Sequence, residues 1–168
     1  MGGNQERTRR IKKRRVNRVG GGLSREEVES ALGFDVVSVV HTAKRVANTN
    51  QRVRIMFLTP ASEIGTRAHA YHDEAGTCVI ELPKREVIMQ RRMLDEVGAK
   101  AKLKSAICEE VAHCSEHETL HTDAVVRKTL ACMDEVLSEE EKRHPYIQEK
   151  IRRLERSPER VMVTPLHG

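Results

Sequence analysis

The stretch AICEEVAHCSEHETLH, residues 106–121, constrains the fold more than any other part of the chain. It holds three of the chain's eight histidines and two of its four cysteines, beside four glutamates. Leu103, Ile107, Val111 and Cys114 recur at helical spacing, so Lys100 to about Ser115 is predicted to be one helix with an apolar stripe. Helical geometry then decides which polar groups can act together. Residues four apart differ by about 40° around the axis and lie one above the other, so Glu109 and His113 can point at one ion. Cys108 and His113 lie five apart, about 140° round, and cannot. Glu110 directly follows Glu109 and can reach past the ion toward a bound water.

This is the arithmetic of H-E-x-x-H, in which ligands four apart flank a glutamate base. Here the string is Glu109-Glu110-Val111-Ala112-His113, with a carboxylate as the first ligand, a donor that zinc accepts. The third ligand is open. Thr119 stands where an extended metzincin pattern has its ligand, and Glu135, beside Asp134, where a glutamate on the following helix would serve. His117, His121 and Asp123 are nearer. His117 extends the Glu109/His113 stripe by a turn, and His121 reaches back if the helix ends near Ser115. Two other readings compete. Glu109, Glu110, Glu116 and Glu118 can form the solvated face of an amphipathic helix. Alternatively Cys114, His117, His121 and one more ligand can close a structural zinc site. Cys78, Cys108 and Cys132 read as small buried hydrophobes, and His69 and His72, flanking Tyr71, as ordinary strand positions.

AKLKSAICEEVAHC, preceded by CVIELP and followed by TLHTDAVVRKTLACMDEVLSEEE, resembles a poorly characterised bacterial family of zincin-like domains. Those domains carry a helix of the form H-E-E-x-x-Q after a helix and a small sheet. Glu109 and Glu110 fall on the paired glutamates, Cys108 on the family's His and His113 on its Gln. The likeness runs in order of elements over residues 34–142 and implies a metallopeptidase-like fold with zinc.

The rest of the chain frames this segment. Residues 1–22 hold eight Lys/Arg and one acid, Glu6. The remainder has 22 basic and 24 acidic residues, so the overall net charge of +5 belongs to an arm. That arm ends in Gly20-Gly21-Gly22 and is predicted to be disordered alone. Its residues 7–18 suit nucleic-acid phosphates through counterion release. With only two Phe, two Tyr and no Trp, the chain lacks the rings of a single-strand stacking platform. No apolar run approaches a membrane span, the start lacks a signal-peptide stretch, and Gly2 lacks the Ser/Thr of a myristoylation pattern. The four cysteines show no disulfide-framework spacing, so reduced thiols and a cytoplasmic location are expected.

Ser24 with Glu27 makes a capping box for a first helix, and Asp35 to Asn48 fits a second. Arg52 to Leu58 alternates as a strand. AHAYH and TCVIEL flank a turn at residues 73–76 and make a hairpin. Residues 84–98 read as helix stopped by Gly98, Asp123 to Leu137 as another, and Ser138 with Glu141 caps a short one disturbed at Pro145.

The expected fold is therefore α+β: N-terminal helices, a small mainly antiparallel sheet, and a helical C-terminal half holding the site. Residues 1–22 form the arm, 23–156 one zincin-like domain, and 157–168 a loosely attached tail. The expected function is a zinc-dependent metallopeptidase acting on a peptide or protein. Glu110 is its base, its metal ligands come from Glu109, His113, His117 and His121, and the strand Cys78 to Leu82 pairs with the substrate. The alternative is a non-enzymatic nucleic-acid-binding protein that uses the arm.

Overall fold

Most helices begin where the sequence places an oxygen-bearing cap. The computed structural model describes residues 23–58 and 67–156; the basic arm and the tail from 157 onward lie outside them. Ser24 caps α1 (Arg25–Leu32) through a reciprocal box with Glu27, and Asp35 caps α2 (Val36–Val46). Three strands follow: β1 (Val53–Phe57), β2 (His69–His72) and β3 (Cys78–Leu82). Then come α3 (Arg85–Arg92), α4 (Glu96–Glu116), α5 (Asp123–Val136), α6 (Glu139–Arg143) and α7 (Pro145–Glu155). The architecture is α+β, with seven helices and one small mixed sheet among the described residues.

The sheet order is β1-β3-β2. β2 and β3 form the expected antiparallel hairpin, turned by Asp73 to Gly76, where Gly76 takes φ +78°. β1 joins β3 in parallel, Val53 opposite Cys78 and Phe57 opposite Leu82. The mainly antiparallel sheet is thereby corrected to a mixed one. β3 is central, and its residues are nearly all buried. Both its edges are occupied, so it cannot pair with a substrate peptide as the sequence suggested. The outer edges belong to β1 and β2.

Helix α4 is the spine. It packs against α2, α3, α5, α6, α7, β2 and β3, and buries Ala101, Leu103, Ile107, Val111 and Ala112 on several sides. A helix apolar nearly all round belongs in a core. Val28, Leu32, Val36, Ile55, Ile80, Met133, Ile147 and Leu154 complete that core. Gly98 does not stop a helix as its sequence context implied. α3 ends at Met93 in the left-handed region, Asp95 caps α4, and Gly98 lies in the first turn of α4. The lack of a side chain matters there for packing, because a Cβ would lie 2.7 Å from the His144 ring.

All four cysteines are paired: Cys78 of β3 with Cys114 of α4, and Cys108 of α4 with Cys132 of α5. The expectation of reduced thiols is overturned. The cysteines are indeed buried, but as cross-links between neighbouring elements, and disulfides persist in oxidising environments. Cysteine usage thus gives no support to a cytoplasmic location. Among the described residues no helix is long and apolar enough to cross a membrane.

Candidate metal centre

Glu109 and His113 lie one turn apart on α4, as the sequence required. Residues 106–114 are helix throughout. α4 then ends because His117 adopts a left-handed conformation (φ 50°), its N–H donating to the Cys114 carbonyl. The chain reverses over Glu118, whose carboxylate accepts from the Thr119 and Leu120 N–H groups at 3.0 and 3.1 Å. Thr122 caps α5 immediately afterwards. This reversal returns His121 to the Glu109/His113 face. One ligand atom from each of Glu109, His113 and His121 lies within 4.8 Å of the others. Tetrahedral zinc, with donors near 2.1 Å, needs them about 3.4 Å apart, so closure takes movements of about 1 Å.

His117 is not brought to this group. With the helix ended at Glu116 it cannot extend the stripe. Its ring stacks on His72 at 4.7 Å, and Gln51 bridges the two rings at 3.1 and 3.3 Å. The closed structural site is excluded as well, since Cys114 carries a disulfide and offers no thiolate. Glu135 pairs with Arg45 and Asp134 with Lys142, away from the cluster. The solvated-face reading fails for Glu109, whose side chain is 17% exposed. It holds better for Glu116, which pairs with Lys128.

The donor set is tuned. His113 Nδ1 lies 2.8 Å from the Glu118 carbonyl oxygen. A carbonyl only accepts, so Nδ1 carries the hydrogen and Nε2 keeps its lone pair, the arrangement that orients a metal-bound imidazole. Burial pushes the His113 imidazolium down from its ordinary value, favouring the neutral ring. Burial alone would raise the Glu109 carboxyl. The Lys150 ammonium, 3.3 Å from Oε1, and His121 Nε2, 3.1 Å from Oε2, outweigh it and hold the group down to about 2. Glu110 has the opposite fate. Burial and then the charge of Glu109 raise it to about 7, and it has no hydrogen-bond partner among the described residues. Two adjacent carboxyls are thus driven apart, one fixed as an anion and one able to take or give a proton near neutrality.

A cavity of about 1030 Å³ opens onto the cluster. Glu109, Glu110, His113 and His121 line it, together with Ala68 and His69 of the β2 end and with Lys102, Tyr146 and Lys150. Helix α7 supplies two of these. Its start is set by Pro145 at the first turn after the His144 cap, the position where proline's missing N–H and fixed φ fit. That cap-and-proline signal marks the helix in the sequence, where Pro145 read as a disturbance instead. Nothing local points to Lys150 as a neighbour of Glu109.

Comparison with protein-family models, with curated proteins and with solved structures finds no match to this chain.

Proposed function

We propose that the protein is a zinc-dependent hydrolase of the metallopeptidase type. The convergence of Glu109, His113 and His121 within 4.8 Å, beside Glu110 on a large cavity, supports this reading. Glu109 contributes charge, and His113 and His121 contribute imidazole nitrogens, a set that suits zinc. Bound there, zinc supplies an acidified water and a Lewis acid. Glu110 is the proton acceptor, and returns the proton to the leaving amine as general acid. Lys150 holds Glu109 in place and neutralises part of its charge. A peptide adds to the edge of β2 that has no strand partner among the described residues and whose Ala68 and His69 end borders the cavity, so that main-chain hydrogen bonds hold it extended.

The test is zinc uptake by the chelator-stripped full chain, followed by turnover of a peptide library. Glu110→Gln retains zinc and loses turnover by ~10²-fold or more, the scale for a general base. Glu109→Ala, His113→Ala and His121→Ala each lose zinc, while His117→Ala keeps it. A wild-type chain that takes up no added zinc, or equal zinc loss in His117→Ala and His121→Ala, refutes the reading.

A further inference from the structure

Four lysines of this fold sit close to its interior, and it treats one of them differently. Lys104 donates to Glu141 at 2.8 Å, Lys128 pairs with Glu116 at 2.6 Å, and Lys150 pairs with Glu109 at 3.3 Å. Lys102, only 9% exposed, has no carboxylate partner among the described residues. Its ammonium faces the Tyr146 ring, 5.6 Å from the centroid. The charges that act on it most are Arg92, Lys150, Arg153 and Arg67, all of its own sign; all five line the same cavity, together with Glu109, Glu110 and Glu149. Of these cations, only Lys150 has a carboxylate partner among the described residues. Burial followed by these like charges lowers Lys102 from 10.5 to about 8, which still leaves it mostly protonated at pH 7. Buried charges are ordinarily paired. A largely buried lysine that opens on a cavity, has no carboxylate partner among the described residues and has cations as its main charged neighbours suits an anionic ligand.

Its position on α4 says where that anion lies. Lys102, Ala106, Glu109 and His113 recur every three or four residues, so they share one helix face. Lys102 stands seven residues before Glu109, about 10 Å along the axis. We propose that Lys102 seats a carboxylate or phosphate group of an acidic peptide substrate, about three extended residues from the metal centre. Arg92 and Arg153 flank that seat, and Tyr146 closes its apolar side. The placement of the cut bond rests on the metallopeptidase reading, whereas the anion seat does not.

The experiment uses the full chain, disulfides intact and stripped of metal. Calorimetry is run with inorganic phosphate, acetyl-Glu-Ala-Ala-Ala-amide and its Gln counterpart. Phosphate binds, and the Glu peptide binds at least tenfold tighter than the Gln peptide. Lys102→Met weakens phosphate at least tenfold and erases the peptide preference, with zinc uptake unchanged. The exposed double variant Arg92→Gln/Arg153→Gln weakens phosphate several-fold, which carries the test should Lys102→Met fold poorly. His113→Ala loses zinc yet keeps phosphate, so the anion seat and the hydrolase reading stand or fall separately. Equal affinity for the two peptides, or wild-type phosphate affinity in Lys102→Met, overturns the proposal. So does a short oligonucleotide that binds through Lys102 more tightly than the Glu peptide, which would assign the seat to nucleic acid.

Discussion

Replacing Lys102 by methionine is expected to stabilise the ligand-free protein. The methylene stem keeps its packing, since methionine is flexible and of similar length, while the buried charge is removed. A folded-state pKa of about 8 against 10.5 in the unfolded chain corresponds to at most ~3 kcal/mol at neutral pH. The ammonium borders an open cavity, and solvent reaching it reduces the effect to ~1–2 kcal/mol. For a chain of this size that raises Tm by roughly 3–6 °C. The pH dependence fixes the cause. Between about pH 8 and 10.5 the folded state has released the Lys102 proton and the unfolded state still holds it. Wild-type stability therefore rises with pH across that window relative to the variant, and the methionine advantage is full below pH 8 and gone above 10.5. Urea unfolding at pH 7 and pH 10.5 reads both, with phosphate and sulfate left out because a bound anion would stabilise the wild type. A variant no more stable than wild type at pH 7, or an advantage unchanged at pH 10.5, refutes the reasoning.

The two disulfides close loops of 36 and 24 residues, for which chain entropy gives about 3–4 kcal/mol each. Adding a reductant should lower the urea midpoint sharply, and Cys108→Ser/Cys132→Ser should lose zinc affinity too, because that link ends one residue before Glu109; an unchanged midpoint would show the sulfurs unpaired. The arm is expected to bind RNA or DNA with an affinity that falls steeply as salt rises. Deleting residues 1–22 should abolish this without moving Tm, and binding that survives the deletion removes the nucleic-acid alternative.

Local chemistry was legible where the signal is local. The Ser24/Glu27 and Ser138/Glu141 boxes and the Asp73–Gly76 turn all depend on residues within a few positions of one another. The Glu109/His113 pairing followed from helical periodicity alone. What the sequence hid is contact between distant segments. A strand's alternation reveals its buried face but neither its partner nor its direction, so the parallel β1–β3 pairing went unread. Four cysteines allow three pairings, and spacing chose none of them. His117 is a non-glycine residue in a left-handed cap, a conformation that residue type rarely signals. Nothing in the sequence singles out Lys102 or Lys150, which α4 and α7 turn onto one cavity.

The placement of α4 ties these findings together. A helix at the centre of a core should carry few charges on its inner faces, and each should have a partner. On α4, Ser105 bonds the Lys102 carbonyl and accepts from Lys150, while Lys150 in turn pairs with Glu109. Lys102 and Glu110, on either side of that chain, have no hydrogen-bond or ion-pair partner among the described residues. They differ in sign, sit two turns apart and border the same cavity. A purely structural helix gains nothing from two such groups, since an apolar residue at either place would be more stable. Such departures from self-consistency are expected at functional or strained sites. In the reading proposed above, Lys102 would meet a charge on the ligand and Glu110 would take a proton at the reacting end.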